Sequence, residues 1–216
     1  MKNRPLLLGH RGARASSGVL ENTLSSFALA LEHGCDGFEF DVRRDGTGAA
    51  VICHDPKFQG VTIARAKSGQ LKSIPQLGEV LAQFSGCAFL DIELKVSGLD
   101  SELLVALGEH PPQRSYVVSS FLTEVLISLA TRSEAMPLGF ICDDERNLPS
   151  WQTLPVSYVI LHYSLVTKDL VEQIRKKDKI VFVWTVNDPA AMLRFADWGV
   201  QGIISDDTEL MVKTFS

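Results

Sequence analysis

The sequence predicts an α/β fold and, within that class, a (β/α)8 TIM barrel with one extra strand from a short hairpin. Apolar runs alternate with helical patterns along the whole chain, as in a parallel sheet covered by helices. Nine runs are visible, and one belongs to the hairpin, which leaves eight strand–helix units of about 27 residues each. An open doubly wound sheet competes, but GHRGARASSG follows the first run where a GxGxxG phosphate loop would be expected.

The strands are identified as short apolar runs bounded by turn residues. The hairpin joins Phe38–Val42 to Ala49–His54 through RRDGTG, whose Asp-Gly step is a strong hairpin signal. The other expected strands are Leu6–His10, Ala88–Lys95, Tyr116–Ser119, Leu138–Cys142, Tyr158–His162, Ile180–Val186 and Gly202–Ser205.

Helices are expected where apolar residues recur every three or four positions. The first, Thr23–His33, ends before Gly34, a typical helix stop. A Pro-interrupted segment around Trp151 is only weakly helical. No repeat or linker divides the chain, so we expect one domain over residues 1–216. The other expected helices are Ile74–Phe84, Ser101–Glu109, Glu124–Ser133, Lys168–Lys177, Pro189–Trp198 and Thr208–Thr214.

Composition excludes several classes of function. Basic residues are scattered and the formal net charge is −5, which argues against a nucleic-acid partner. No run reaches the 18 or so apolar residues of a membrane span, and MKNRPLLLG is too short for a signal peptide. The cysteines lack metal-type pairing, so we expect reduced, buried thiols and a cytoplasmic location. Those cysteines are Cys35, Cys53, Cys87 and Cys142.

Ionisable residues stand where several of the predicted strands end, which is where a TIM barrel builds its site. Taken singly, each pair has an ordinary structural interpretation, such as a strand end meeting water. Taken together they favour a site, because helices cover the outside of a barrel and leave little room there for solvated acids. The residues are His10, Arg11, Glu39, Asp41, His54, Asp55, Glu93 and Lys95.

Three of these side chains are carboxylates that suit a hard cation. Glu39 and Asp41 are two residues apart on one strand and so share a face, with Glu93 on another strand end. Without a suitable Cys/His set, oxygen ligands of this kind indicate Mg²⁺ or Ca²⁺. His10 and His54 offer an acid/base pair, because imidazole titrates near physiological pH. Arginine and lysine supply cations for a phosphate group.

The order of motifs closely resembles the glycerophosphodiester phosphodiesterase family, in the barrel superfamily shared with phosphatidylinositol-specific phospholipase C. The polar motifs GHRG, LENT, FEFDV, HDP and IELK appear in the family's order and spacing. SIPQLGEVL, VVSSF, VFVWTVND and GIISDDT are also similar to family segments, so the resemblance extends from Gly9 to about Thr208. Each piece is weak alone, but the ordered set is specific.

The resemblance implies metal-dependent hydrolysis of glycerophosphodiesters to sn-glycerol 3-phosphate and an alcohol, a small-molecule reaction of lipid and glycerol metabolism. It implies one divalent metal, Mg²⁺ or Ca²⁺, and no stable membrane insertion. It leaves the oligomeric state open. Residue by residue it implies His10 and His54 as catalytic groups, Glu39, Asp41 and Glu93 as metal ligands, and Arg11, Lys95, Trp184 and Glu21 as substrate-binding groups.

This chain departs from the family pattern in two places. Leu20 stands where the family motif before Glu21 and Asn22 usually has proline, and the segment from Pro56 to Ser73 is a reduced form of a longer family insertion. Two alternative functions stay open. One is lysophospholipase D-like activity on lipids, with Phe58, Val61 and Ile63 as an apolar lip; the other is a barrel that binds phosphodiesters without turnover.

Overall fold

Eleven strands are found in the computed structural model, which describes residues 4–67 and 69–216. Eight of them are parallel and follow one another round a barrel in the order β1, β2, β6, β7, β8, β9, β10, β11, closed by pairing of β11 with β1. The predicted (β/α)8 barrel is therefore confirmed. In chain order the strands are β1 (Leu6–His10), β2 (Gly37–Arg44), β3 (Ala50–Ile52), β4 (Lys57–Phe58), β5 (Val61–Thr62), β6 (Phe89–Leu94), β7 (Tyr116–Ser120), β8 (Leu138–Cys142), β9 (Tyr158–His162), β10 (Ile180–Trp184) and β11 (Gly202–Ser205).

Seven α-helices cover the barrel over the described part of the chain. Between β8 and β9 a 3₁₀-helix, Leu148–Gln152, stands in place of the eighth α-helix. The first and last residues of the α-helices mostly lie within three residues of those that the sequence pattern predicts. The α-helices are α1 (Leu24–Glu32), α2 (Leu77–Phe84), α3 (Asp100–Glu109), α4 (Thr123–Arg132), α5 (Lys168–Arg175), α6 (Pro189–Asp197) and α7 (Thr208–Thr214).

The extra strand is the one that the Asp-Gly step predicts. β3 pairs antiparallel with β2, with Val42 opposite Ile52 and Arg44 opposite Ala50. β3 ends at Ile52, so the chain leaves the sheet just before His54. β3 thus runs back from the end of β2 to the level of Asp41, whose carbonyl oxygen accepts a 2.9 Å hydrogen bond from the Cys53 N–H, and His54 follows there.

The barrel interior is a packed apolar core below the site. Its members are Leu8, Phe89, Val117, Ile141, Tyr158, Ile160, Phe182 and Ile204. Two strand glycines allow neighbouring groups to approach closely: a Cβ on Gly37 would clash with the backbone of Phe89, and one on Gly202 would clash with the Phe182 ring. Any larger residue at either position would push the strands apart.

A second, larger core lies between the strands and the helices, where α1 packs on β2. The rings of Phe27 on α1 and Phe38 on β2 stack at 4.3 Å between centroids. Since successive strand residues point to opposite faces, Phe38 and Phe40 face the helices while Glu39 and Asp41 face the barrel axis. The outward apolar residues thus anchor a strand whose inward residues are charged.

The segment from Pro56 to Ser73 folds as the small β4–β5 hairpin followed by a 3₁₀-helix, with Ser68 outside the described residues. The apolar lip expected from Ile63 is wrong. Ile63 is 1% exposed and belongs to a small core beneath the hairpin, against which Phe58 and Val61 also pack. Ile63 therefore stabilises the hairpin and offers no apolar edge to a lipid, while Phe58 and Val61 are half-buried.

Two composition-based expectations can also be compared with the structure. Cys35, Cys53 and Cys142 are buried free thiols, but Cys87 is exposed, which corrects the expectation that all four are buried. No described helix is long and apolar enough to cross a membrane. Residues 1–3 of the amino-terminal stretch considered as a signal peptide lie outside the described residues.

Candidate active site

β1 ends by delivering two polar residues to the mouth of the barrel. His10 is the last residue of the strand, and Arg11 follows with a left-handed backbone, φ 54°. This conformation costs about 1–3 kcal/mol for a residue other than glycine. It aims the Arg11 backbone N–H at Glu39, to which it donates a 3.0 Å hydrogen bond. The strained turn therefore links the end of β1 to the acidic end of β2.

The His10 ring is held from behind by an aspartate. Its Nδ1 lies 2.7 Å from Oδ1 of Asp206, directly after β11, and its Nε2 lies 3.9 Å from Oε2 of Glu39. Burial opposes the charge on Asp206, but hydrogen bonds from His10 and Asn187 hold the pKa of its carboxyl below the usual range. Because a carboxylate only accepts hydrogen bonds, Nδ1 carries the hydrogen and Nε2 is left for the pocket.

Three buried carboxylates meet beside His10. Glu39 and Asp41 alternate with outward residues on β2, and Glu93 on β6 is the register partner of Asp41. One oxygen from each of the three lies within 4.8 Å of the others. Relative exposures of 1–6% leave these charges almost no contact with water. The register of β2 and β6 thus brings together the three carboxylates that the sequence predicts as one group.

Lys95 and Arg11 neutralise part of this charge. Lys95 Nζ lies 2.9 Å from Asp41 and also contacts Glu93, and Arg11 Nε lies 3.3 Å from Asp41. Burial would raise the pKa of Asp41, but these two cations outweigh it and the pKa is lowered. Burial raises the pKa of Glu93 to about 7 in spite of Lys95. For Glu39, burial and the neighbouring carboxylates raise the pKa well above its usual range.

The donor set fits a hard divalent cation. Glu39 Oε1 is buried and has no hydrogen-bond partner among residues 4–67 and 69–216. Neighbouring carboxylates disfavour ionisation of Glu39, and a cation bound beside it would favour the ionised form. Three carboxylate oxygens at this spacing match the ligands that Mg²⁺ and Ca²⁺ prefer. The three residues named from the sequence are therefore compatible with one metal ion.

His54 lies in the loop after β3, on the far side of β2 from β6. Its Nδ1 lies 2.8 Å from Oδ1 of Asp55, and its carbonyl oxygen accepts a 2.7 Å hydrogen bond from Arg43. Burial lowers the pKa of the imidazole, although Asp55 opposes this. His54 thus lines the pocket with a ring that is mainly neutral at neutral pH, and its Nε2 is not engaged by Asp55.

Glu21 and Asn22 support the site from the loop before α1. Glu21 accepts a 2.9 Å hydrogen bond from Arg11 and pairs at 2.6 Å with Arg14, so it lies behind the arginines and outside the carboxylate group. Asn22, with φ 57°, donates a 2.7 Å hydrogen bond to Asp41. Asparagine tolerates this left-handed backbone better than most residues. Both residues therefore position other groups.

The opposite wall of the pocket is apolar and aromatic. The Trp184 ring makes edge contacts with Phe121 and His162, at 5.6 and 5.2 Å between centroids. Its Nε1 has no hydrogen-bond partner in the described part of the chain. Among the residues named from the sequence, His10, Arg11, Glu39, His54, Glu93, Lys95 and Trp184 all line this one pocket.

Two polar residues of the site, Asp206 and Asp91, are not among the site residues that the sequence predicts. Asp206 lies in GIISDDT, a segment noted as similar to the family but given no function, and it directly follows a strand end. Asp91 shares a face of β6 with Glu93 and accepts a 2.5 Å hydrogen bond from Ser119. Burial raises the pKa of Asp91 to about 7 in spite of Ser119. Asp206 follows a strand end, as does the site residue Arg11, so the same sequence signal could have identified it. Asp91 could have been identified because it shares a face of β6 with Glu93.

Two imidazoles in a pocket with carboxylates and cations can move protons beside a bound anion. The pocket carries Arg11 and Lys95 for a negative group, and His10 Nε2 and His54 Nε2 as exchangeable sites. General acid/base chemistry needs such groups within hydrogen-bond reach of the reacting atoms. The arrangement therefore suits hydrolysis of a phosphate ester.

Comparison with known proteins agrees with this chemistry. The model of the glycerophosphoryl diester phosphodiesterase family matches residues 10–79 and 82–210. A glycerophosphodiester phosphodiesterase of Caldanaerobacter subterraneus is 29% identical over 97% of both chains.

Solved structures give the same result. A glycerophosphodiester phosphodiesterase of Thermotoga maritima superimposes with a TM-score of 0.85, 28% identity and 99% of both chains covered. An Oleispira antarctica phosphodiesterase, solved with the product sn-glycerol-3-phosphate, gives 0.85 at 25% identity, over 98% of this chain and 97% of its own.

Proposed function

Since the chain belongs to the glycerophosphoryl diester phosphodiesterase family, we propose that it hydrolyses glycerophosphodiesters to sn-glycerol 3-phosphate and an alcohol. One observation carries the proposal: three buried carboxylates meet in a pocket that His10 and His54 also line. A barrel that binds phosphodiesters without turnover would need neither imidazole.

Glu39, Asp41 and Glu93 would hold one divalent metal ion, Mg²⁺ or Ca²⁺. When bound, such an ion neutralises phosphate oxygens and lowers the pKa of a coordinated hydroxyl. Arg11 and Lys95 contact the phosphate, because both line the pocket and carry charge there. Glu21 acts through Arg11, which it holds by a 2.9 Å hydrogen bond. Trp184 packs against the substrate from the aromatic wall.

The reaction begins with attack by the substrate's own glycerol 2-hydroxyl, because an intramolecular nucleophile has a high effective concentration. A bond forms between that oxygen and phosphorus while the bond from phosphorus to the alcohol oxygen breaks. One histidine takes the proton of the 2-hydroxyl, and the other donates a proton to the departing alcohol. Water then opens the cyclic phosphate as the two histidines exchange roles and regain their starting protonation.

The test is an assay of purified protein with glycerophosphocholine, before and after treatment with EDTA. We expect release of choline and sn-glycerol 3-phosphate, loss of turnover with EDTA, and recovery on addition of Mg²⁺ or Ca²⁺. Full turnover in metal-free protein would contradict the metal part of the proposal. Absence of turnover with every glycerophosphodiester and either metal would contradict the proposal as a whole.

A further inference from the structure

One acceptor on the floor of the pocket has no assigned partner. Asp91 is 1% exposed, and Ser119 donates to its Oδ1 at 2.5 Å. Its Oδ2 has no hydrogen-bond partner anywhere in residues 4–67 and 69–216. Leaving a buried acceptor unsatisfied carries a free-energy cost, which is larger for a charged group. A ligand that supplies a donor there would recover this cost.

The surroundings make the position of this carboxylate specific. Asp91 lines the same pocket as Ile141, Ile160 and Ile204, three apolar side chains of the barrel interior. The pocket thus offers a ligand both apolar side chains and the Asp91 carboxylate. The Nε1–H of Trp184, which lines the same pocket, is a buried donor without a hydrogen-bond partner in the described part of the chain. A hydroxyl group both donates and accepts hydrogen bonds, so this acceptor and this donor suit hydroxyl groups of a ligand.

Asp91 is separate from the group that would hold the metal. Only Glu39, Asp41 and Glu93 form the cluster whose oxygens lie within 4.8 Å of one another among the described residues. Asp91 precedes Glu93 by two residues on the same face of β6, about 6.6–7 Å back along the strand in the direction of the barrel floor. It therefore faces the part of a substrate that lies deeper than the phosphate.

We propose that Asp91 Oδ2 accepts a hydrogen bond from the terminal C1 hydroxyl of the substrate's glycerol, and so selects substrates in which that hydroxyl is free. This rests on the proposed function, in which the 2-hydroxyl is the nucleophile and the phosphate is on C3, so that C1 carries the remaining hydroxyl. A site built to bind a hydroxyl rejects analogues that lack it, because its own polar group is then left unpaired. The substrate class is unacylated glycerophosphodiesters, and lysophospholipids acylated at C1 are poor substrates.

The test compares glycerophosphocholine with its 1-deoxy analogue, the phosphocholine ester of propane-1,2-diol, which keeps the 2-hydroxyl. The wild-type enzyme is expected to prefer glycerophosphocholine by roughly 100-fold or more in kcat/KM. In Asp91→Val this preference falls to about 5-fold or less, because the rate with glycerophosphocholine falls towards that with the analogue. Asp143→Val is the matched control, since Asp143 is an exposed carboxylate lining the same pocket, and it keeps the preference.

Further measurements separate specificity from folding and metal binding. If Asp91→Val does not fold, Asp91→Leu replaces the carboxylate by a side chain of nearly the same shape that neither accepts nor donates a hydrogen bond, and its preference falls by about 10-fold or more. Mg²⁺ affinity, measured by calorimetry, stays at the wild-type value in the Asp91 variant that folds. An undiminished preference, or loss of Mg²⁺ affinity as large as that of Glu93→Ala, overturns the inference.

Failure of the proposed function has a different signature. Absence of turnover with all substrates overturns that function while leaving the binding site testable. Calorimetry with sn-glycerol 3-phosphate and its 1-deoxy analogue then decides: equal affinities in the wild-type protein overturn the role of Asp91. A preference for sn-glycerol 3-phosphate that Asp91→Leu removes supports it.

Discussion

Nδ1 of His10 lies 2.7 Å from Oδ1 of Asp206, although the two residues are 196 positions apart in the sequence. The barrel closes by pairing β1 with β11, which brings the two ends of the chain together. Arg14 and Asn187 also donate to Asp206, at 3.2 and 2.8 Å. The aspartate is therefore fixed on several sides, and it fixes the tautomer of His10 in turn.

Asp206→Asn is expected to lower kcat by roughly 10²-fold, because the carboxamide orients the imidazole less well and does not stabilise its charged form. Substrate affinity and thermal melting should change little. Steady-state kinetics and calorimetric melting check this. An equal loss in a variant of an exposed aspartate such as Asp169 would show that the effect is not specific to the contact with His10.

His10→Ala and His54→Ala should each lose turnover by roughly 10²–10⁴-fold, the usual contribution of a general acid or base. Both side chains line the pocket and neither belongs to the apolar core, so melting temperatures should stay near the wild-type value. His110→Ala is the control, because His110 follows α3 and does not line the pocket. A wild-type rate in either site variant would remove that histidine from the mechanism.

Glu39→Ala, Asp41→Ala and Glu93→Ala should each weaken Mg²⁺ or Ca²⁺ binding at least 10-fold, because each removes one of three closely spaced ligands. The variants should remain folded, although Asp41→Ala is expected to lower the melting temperature, because it removes the partner of Arg11 and Lys95. Isothermal titration calorimetry measures the affinity and circular dichroism the fold. Unchanged metal affinity in all three would refute the assignment of these ligands.

The stability of the metal-free protein should fall as pH rises from about 5 to 8. Burial raises the pKa of both Asp91 and Glu93 to about 7, whereas in the unfolded chain they titrate near 4. Between these two pKa values the folded protein binds more protons than the unfolded chain. The free energy of unfolding therefore decreases as pH rises through about 7. Burial lowers the pKa of His54, which acts in the opposite direction over part of this range.

Glu93→Gln isolates the carboxylate contribution. The variant should show a smaller fall in melting temperature between pH 5 and pH 8 than the wild type, by about 5 °C. Mg²⁺ should raise the melting temperature of the wild type more at pH 8 than at pH 5, because it binds ionised carboxylates. Identical pH profiles in the two proteins would contradict the prediction.

Headgroup choice should be weak, because the segment in place of the longer family insertion is a small hairpin packed on its own core. Groups that contact little contribute little differential binding in the transition state. Glycerophosphocholine, glycerophosphoethanolamine and glycerophosphoglycerol should differ in kcat/KM by no more than roughly 10-fold. A preference of 100-fold or more for one of them, measured under matched metal conditions, would show that other loops set specificity.

The sequence determines the barrel and the end at which its site lies. Alternation of short apolar runs with helical patterns requires covered parallel strands, and charged residues on such strands have nowhere to lie except the mouth. This local logic identifies Glu39, Asp41 and Glu93 as one group. It cannot show that Ile63 lies in a core beneath the hairpin, because an apolar residue in an irregular segment has the same pattern whether buried or exposed.

Closure and register, which only the tertiary structure decides, complete the site. Asp206 reaches His10 because the last strand pairs with the first, a relation that no local pattern contains. Asp91 is left with an unused oxygen because β7 brings Ser119 to its other oxygen and the facing strands bring isoleucines. Hydrogen-bond satisfaction depends on what the whole fold places within 3 Å of an atom. The sequence by itself thus determines which residues reach the pocket, and the packed barrel decides which of their atoms are left for a substrate.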